Sequence, residues 1–423
     1  MLLPNLAIRN LFRHPRRTII TSIAIAFGVA TYILMDSLLL GWFSETERGY
    51  VDYEVASGRI VRESWWQERE EFPLSELITN TEEVTSILEE LGISYAPRLE
   101  FMGELIFYED PYPSSGTYPT RIVAIDPERD AEIFALVESV DNPESRGQFV
   151  TDSSDGIVVG AALANDLHMQ VGYPIRLQFT GVQGYEELVG SDVIGIVKTG
   201  SAIHNVNGVY MSLESADFYL QADGAVTAYA FELPGGRRGE QLREELRERL
   251  PAEYRVLGFD EIAEDFVAMQ EAESGGASII LFIVFLIAAV GVSNTMMMAV
   301  FERRREIGMM RAQGVTDRSI LVLFFLEGAG IGLVGALVGI ALGALGNIPL
   351  VNTGINYGAL LNLQGDTVEF GAIALPSYMR GTWNLRSFAF SAIMAMAVSS
   401  LVTFFPTRRL LRQDIPTNLR SDK

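Results

Sequence analysis

The placement of its apolar runs constrains this chain more than any other feature. One run lies near the start, from Thr18 to Phe43. Three more crowd the last third, at Ala277–Ala299, Ile320–Leu345 and Ser387–Phe405. A helix rises 1.5 Å per residue, so about 20 apolar residues cross the roughly 30 Å of hydrocarbon in a bilayer. Each run meets that length. Between the first two lies a polar stretch, Ser44 to Gly275, long enough for a whole folded domain. The pattern predicts an integral membrane α-helical protein. Four transmembrane helices are expected, with a large α+β extracytoplasmic domain between helices 1 and 2.

Charge separates along the same boundaries. The chain of 423 residues is 48% hydrophobic yet carries a net charge of −22. Ser44–Gly275 holds 45 Asp and Glu against 16 Lys and Arg, while the remainder holds 9 acidic and 16 basic residues. Basic residues cluster at Arg9, Arg13, Arg16 and Arg17, at Arg303–Arg305, Arg311 and Arg318, and at Arg408, Arg409, Arg412, Arg420 and Lys423. Basic loops stay in the cytoplasm. Both termini and the 302–318 loop are therefore expected inside, and the acidic domain and the 346–386 loop outside. Basic residues before an apolar run mimic a signal peptide, but the run is too long for one. No small-residue cleavage site follows before Trp42, so a retained signal anchor is expected. With no cysteine in the chain, the outer domain must fold without disulfides, and its size permits an adequate core.

The expected segments follow from these limits. Residues 1–17 form a cytoplasmic amphipathic segment and 18–43 the first span. Residues 44–275 form the outer domain, with a stalk at 259–275. The second span is 276–301, the cytoplasmic loop 302–318, and the third span 319–345. An outer loop at 346–386, a fourth span at 387–406 and a tail at 407–423 complete the chain. Inside the outer domain, spacing predicts helices over Leu74–Leu91, Ala161–Met169 and Arg237–Leu250. Strands are expected at Arg121–Ile125, Ile157–Val159, Ile175–Phe179, Asp192–Val197 and Val209–Leu213. Two lobes are expected, divided in the Asp141–Asp155 loop. Gly275-Gly276 either hinges the stalk or lets its helix run on.

Three groups of residues are candidates for function. The first is the loop Glu302, Arg303, Arg304, Arg305, Glu306, Ile307, Gly308, Arg311 and Gly314. Ile307, Met310 and Arg311 share a helical face, Gly314 suits a left-handed helix stop, and Thr316 or Asp317 suits the next cap. Such a basic amphipathic helix is either a positively charged anchor or a docking helix for a cytoplasmic partner. The second is Gly335, Gly339 and Gly343, spaced by four, a smooth face for helix packing within or between subunits. The G-x-G-x-x-G formed by Gly330, Gly332 and Gly335 lies inside a span with no strand before it, so it is not a dinucleotide fingerprint. The third group is Asp36, Glu327, Trp42 and Phe43, candidates for a translocation or lipid-entry cavity. Asp36 reads more simply as an interfacial carboxylate. Glu327, about two turns inside the inner face, needs a partner or water.

Enzyme chemistry finds little support. His14, His168 and His204 are far apart and lack metal-ligand spacing, so no metal site is expected. Neither lysine, Lys198 or Lys423, follows a glycine, so there is no Walker A lysine. A nucleotide-driven machine would need its ATPase from another subunit.

Several short motifs, in order, resemble the MacB/FtsX/LolC-LolE type of ABC-transporter permease. Leu6–Thr18 resembles the family's basic stretch before the first span. Ile125-Asp126-Pro127 is similar to its "G-I-D-P", with Ala124 in place of the glycine. Gly156–Gly160, Leu163-Ala164 and Val171-Gly172 resemble a second outer-domain signature. Glu306-Ile307-Gly308 with Arg311–Gly314 resembles "E-I-G-x-x-R-A-x-G". Pro406–Arg409, Asp414–Pro416 and Leu419-Arg420 resemble the tail.

The resemblance implies a non-catalytic permease in the bacterial inner (plasma) membrane, without a cofactor of its own. It would act as a homo- or heterodimer of permease subunits, with two cytoplasmic ATPase subunits, which bind the ATP, docked near the 302–314 loop. The lack of a fused ATPase and the Asp-Pro signature favour LolC/LolE-like permeases, which extract lipoproteins from the outer leaflet for a periplasmic carrier. MacB-like export of peptides, antibiotics or other amphiphiles stays open, as does FtsX-like activation of a cell-wall hydrolase. Trp383, Tyr357, Tyr378 and Phe370 in the longer 346–386 loop suit either interface anchoring or a lip for a lipidated substrate.

Overall fold

The computed structural model describes residues 15–108, 115–152, 155–356, 367–370, 373–376 and 378–412. The expected amphipathic segment before Pro15, the tail motifs from Asp414 onward and Tyr357 lie outside them. The chain divides into two compact units. One holds residues 1–43, 269–355 and 379–423, and the other 44–268 and 356–378.

α1 runs over Pro15–Tyr50, with residues 15–43 in the first unit. Its residues Ile25, Val29 and Ile33, spaced by four, are buried, while Ile19, Ile20, Ile23 and Phe27 are exposed.

The second unit follows in the order β1 (Gly58–Arg62), α2 (Glu63–Gln67), α3 (Thr81–Glu90), β2 (Ser94–Tyr108) and β3 (Ser115–Ile125). Then come α4 (Pro127–Ile133), β4 (Arg146–Gly147), β5 (Gly156–Gly160), α5 (Ala161–Asp166), β6 (Pro174–Thr180) and β7 (Glu186–Val197). α6 (Ala202–Asn207), β8 (Val209–Ser212), α7 (Leu213–Leu220), β9 (Ala228–Glu232), α8 (Arg237–Arg249), β10 (Tyr254–Leu257) and α9 (Phe259–Ile262) complete it.

The sheet order is β10-β1-β9-β2-β3-β8-β5-β7-β4, and β6 bonds to both β2 and β7. The path β2-β3-β8-β5-β7-β6 therefore closes on itself. One core fills that ring, with Leu99, Phe101, Leu105, Ile122, Ile157, Leu177 and Val209 buried together. A second core lies under α3 and α8, where Val84, Leu88 and Leu246 pack on Ile60, Tyr229 and Phe231. Two cores thus share β2. The Asp141–Asp155 loop does not divide them, because the ring core draws residues from both sides of it.

Other expectations differ in detail. The helix expected from Leu74 begins only at Thr81. Ile78 is already committed to an antiparallel bridge with Val226, so its backbone cannot join a helix. The Ala161 helix stops at Asp166, and His168 then takes a left-handed φ of 53°. β2 carries Pro97 and Gly103 and no continuous apolar run, which hid it from the sequence pattern. Asp126-Pro127 acquires a physical role: the Asp126 carboxylate accepts from the N–H groups of Glu128 and Arg129 and caps α4.

The face of β2 turned away from the ring is charged. Arg98, Glu100 and Met102 lie opposite Ile125, Val123 and Arg121 of β3. Past α1, a single turn of π-helix, Val51–Val55, leaves backbone carbonyls without helical partners. Arg98 donates to the Tyr53 carbonyl at 2.9 Å, and Arg59 to the Glu54 carbonyl at 2.7 and 3.1 Å. Arg98 also grips Asp130 through Nε and Nη2 at 3.0 and 2.8 Å, and lies 3.6 Å from the Phe134 ring. Burial pushes the nearby Tyr210 hydroxyl above its ordinary range, against the pull of Arg98 and Arg121, so it is a neutral phenol.

Past β10, α10 (Glu264–Glu302) is one helix. It runs through Gly275-Gly276 without interruption. The break in the stalk falls earlier, at Ala263, between α9 and α10. After it come α11 (Arg304–Ala312), α12 (Asp317–Asn352) and α13 (Leu385–Leu411). α12 continues past Leu345, where a loop was expected, and Asn347 near its end is fully buried. Among the described residues, α1, α12 and α13 are long and apolar enough to cross a membrane.

Removing Arg98 would leave Asp130 buried without its charge partner. Arg98→Met should lower stability by about 3–5 kcal/mol. The double variant Arg98→Met, Asp130→Leu should lose less than the single one. Urea unfolding followed by tryptophan fluorescence checks both.

Candidate functional site

α11 is formed by local signals that the sequence already carries. Its C-terminus shows the paired bonds of a Schellman motif: Val315 N–H to the Met310 carbonyl and Gly314 N–H to that of Arg311, with Gly314 at φ 89°. Thr316 then caps α12 by accepting from the Ser319 N–H. Ile307 is fully buried and seats α11 against Ile320 and Phe324 of α12 and Leu410 and Leu411 of α13.

A buried ion pair fixes the other end. Arg303 Nη1 lies 2.9 Å from Glu327 Oε2, and its Nε lies 3.0 Å from Glu306 Oε2. Glu327 is 1% exposed, and the guanidinium also approaches the Phe324 ring at 5.2 Å. Glu327, expected at a lipid-entry cavity, thus meets the guanidinium that starts α11. Arg311 Nε reaches Asp317 Oδ1 at 3.0 Å.

The candidate coupling residues therefore divide by position. Arg303, Ile307 and Gly308 are buried, and Arg304, Glu306 and Arg311 are half-buried. Glu302, Arg305 and Gly314 are exposed. So are Met309, Ala312 and Gln313, which belong to the same loop.

The glycine candidates lie on a helix–helix contact within one chain. A Cβ on Gly335 would meet Ile25 at 2.8 Å, one on Gly339 would meet Val29 Cβ and the Ala26 carbonyl at 2.7 Å, and one on Gly343 would meet Ile33 at 3.1 Å. These glycines let α12 close on α1. A second smooth face was missed. Gly328 and Gly332 meet α13, whose residues Ser387, Ser391, Ala395, Ser399, Thr403 and Thr407 are buried at intervals of four. Ser399 Oγ donates to the Gly328 carbonyl at 2.8 Å and Ser22 Oγ to that of Ile331 at 3.4 Å. Small residues and hydroxyls at such spacing join helices where apolar burial drives no association.

Asp36 lies at the start of α13. Its carboxylate accepts from Ser387 Oγ and from Asn384 Nδ2, and Asn384 itself caps that helix. A carboxylate there is favoured by the helix N-terminus. Beside it, Ser37 donates to the Thr382 carbonyl at 2.8 Å, and the Leu350 carbonyl accepts from Gly381 N–H at 3.0 Å. Residues 380–384 thus strap α1 to α12. Trp42 and Phe43 are buried and stacked on one another at 4.9 Å. Trp383 is about half exposed, with its ring 6.2 Å from Phe388. Among the described residues no group of His, Asp and Glu is placed to hold a metal ion.

Comparison with known proteins places this geometry. Residues 18–249 match the MacB-like periplasmic core domain, and residues 278–415 the FtsX-like permease C-terminal domain. The lipoprotein-releasing system transmembrane protein LolC of Neisseria meningitidis is 24% identical over 268 residues, 60% of this chain and 62% of that protein. An ABC transporter permease of Methanocaldococcus jannaschii is 28% identical over 159 residues, 36% of this chain and 40% of that one. The macrolide export ATP-binding/permease protein MacB of Brucella abortus is 30% identical over 110 residues, 25% of this chain and 17% of that protein. The chain thus spans about two-fifths to three-fifths of the length of the first two and less of the third. The crystal structure of the periplasmic region of MacB from Actinobacillus actinomycetemcomitans aligns with a TM-score of 0.32 and 12% identity, covering 49% of this chain and 91% of that one.

Gly339→Leu should force α1 and α12 apart and cost at least about 1–3 kcal/mol. Gly275→Ala, with open space around its Cβ, should stabilise α10 by about 0.5–1 kcal/mol. Thermal unfolding in lipid nanodiscs separates the two outcomes.

Proposed function

Because the chain belongs to the MacB/FtsX/LolC family of ABC transporter permeases, we propose that it converts ATP hydrolysis by a separate subunit into motion of its extracytoplasmic domain. Permeases of this family work with cytoplasmic ATPase subunits. The observation that carries the reading is the seating of α11. Its buried side is held to α12 and α13 by Ile307 and by the Arg303–Glu327 pair. Its outer side presents Arg305, Met309, Ala312 and Gln313. A partner pressing on that side moves two apolar helices at once.

In this reading α10 is a fourth span, both termini and α11 face the cytoplasm of a bacterial cell, and two permease subunits flank two ATPases. ATP is held by those partners, and this chain is not itself an enzyme. The substrate is a lipoprotein lifted from the outer leaflet of the inner membrane and passed to a periplasmic carrier. The breadth of the match to LolC, 60% of the chain, supports this choice over MacB-like export; the Brucella abortus MacB aligns over 25%. Drawing acyl chains from a bilayer costs about 0.8 kcal/mol per CH₂, which calls for an energy source. Asp36, Trp42 and Phe43 mark the outer end of α1, where those chains would enter, and Glu327 anchors the inner end.

Reconstitution with the cognate ATPase and a triacylated lipoprotein in proteoliposomes tests the substrate. ATP-dependent appearance of the lipoprotein in solution with a carrier present is the expected result. ATP-driven efflux of a non-acylated amphiphile without lipoprotein release would favour export instead. In the same system Met309→Asp and Arg305→Glu should each lower permease-stimulated ATP hydrolysis at least about tenfold, some 1.4 kcal/mol of coupling, with unfolding temperature unchanged. Wild-type stimulation by both variants would contradict docking on α11.

A further inference from the structure

The second unit contains a cleft that the transport reading does not use. It has a volume of about 300 Å³ and is lined by Phe72, Met102, Tyr118, Arg121, Ile203 and His204, among others. That is the lower end of the size range of small-molecule pockets. Phe72, Met102, Tyr118 and Ile203 give it apolar walls. Met102 of β2 and Arg121 of β3 are directly opposed across the two strands.

The charged floor is internally balanced. Arg121 Nη1 lies 2.8 Å from Glu54 Oε1 and 3.5 Å from Glu100 Oε2. Glu100 Oε1 also meets Arg59 Nη1 at 2.8 Å. His204 is 6% exposed, with Nδ1 at 2.9 Å from Ser201 Oγ and Nε2 at 3.6 Å from Glu54 Oε2. Two carboxylates thus face two guanidiniums.

Arg121 is only partly committed to this floor. Its hydrogen bonds and ion pairs with the described residues all run through Nη1. Nε and Nη2 form the side edge of the guanidinium fork, the edge that takes a carboxylate or phosphate with two parallel bonds. The side chain is 31% exposed where it lines the cleft.

A second feature of the cleft is independent of charge. Phe72 sits at φ 49° and ψ 57°, the left-handed region that bulky side chains rarely adopt. Strain of this kind gathers at ligand sites, where surrounding contacts enforce it. Here it holds the Phe72 ring against Trp65 at 6.2 Å and near the Arg121 guanidinium at 5.9 Å. An aromatic wall is thereby fixed beside the Arg121 guanidinium.

We propose that this cleft binds a small amphiphilic anion, an apolar body bearing one carboxylate or phosphate, with the anionic group on the Nε–Nη2 edge of Arg121 and the apolar body against Phe72, Met102, Tyr118 and Ile203. Glu54 and Glu100 beside Arg121 disfavour anions in general, so the apolar contact is what selects this class. The proposal does not rest on α11, and its failure would leave the coupling reading intact.

Titration calorimetry on the full chain in phosphatidylcholine nanodiscs, with empty nanodiscs as background, tests it. The probes are 4-phenylbutyrate, phenyl phosphate and the neutral 4-phenylbutanol. At least one anion should bind saturably and at least tenfold more tightly than the alcohol, and which anion binds separates a carboxylate ligand from a phosphate one. Met102→Glu places a competing carboxylate beside Arg121, and Ile203→Trp fills the cleft. Each should weaken anion binding at least tenfold. Met102 is 43% exposed, so its replacement leaves the core intact. No saturable binding of either anion, equal binding of the alcohol, or undiminished binding in Met102→Glu would overturn the proposal.

Discussion

The membrane unit depends on one charge pair, Arg303 with Glu327. A lone carboxylate buried among apolar helices is costly, and so is a lone guanidinium. Their 2.9 Å contact resolves both costs together. Because Glu327 lies within α12 and Arg303 directly precedes α11, the pair also fixes where α11 begins. Ile307, one turn on, has a single apolar seat between α12 and α13. Rotating α11 would expose Ile307 and separate the charges at once. The helix is therefore held as a surface rather than tethered as a loop, and that makes it a credible handle for a motor subunit.

The helices to which α11 is fastened are joined by close approach. Glycines on two faces of α12 admit α1 on one side and α13 on the other, and serine and threonine hydroxyls bond to the carbonyls laid open by that approach. Such contacts depend on steric fit and tolerate no added Cβ where the backbone lies nearest. At the opposite end of the same helices, Asp36, Asn384 and Ser387 close the contact with hydrogen bonds. In the second unit, buried arginines do the comparable work. Arg98 and Arg59 take the carbonyls left open beyond α1, so that the start of the outer domain is held by its own sheet.

Much of this was legible in the sequence because it rests on local chemistry. Apolar length marked α1, α12 and α13. Gly314 and Thr316 marked the end of one helix and the start of the next. Gly335, Gly339 and Gly343 marked a packing face by spacing alone. What was hidden depends on residues distant in sequence. Glu327 required a partner, but nothing in its neighbourhood pointed to Arg303. Ile78 left the helical pattern because Val226 needed its backbone. β2 escaped notice because it serves two cores at once and carries a charged row on one face. The stripe from Ser387 to Thr407 was visible at intervals of four, yet hydroxyl residues inside an apolar run read as noise until the opposing glycines are known.

In the proposed coupling a motor subunit engages the exposed side of α11 while its buried side is anchored in the apolar helices. Photo-cross-linking from Met309 in intact membranes, with mass spectrometry of the adduct, tests this most directly. An ABC ATPase subunit should be joined at Met309, with no such adduct from a cross-linker at Leu337, which is exposed on the apolar surface of α12. Cross-links from Met309 to lipid alone, in cells that contain the assembled transporter, would contradict it.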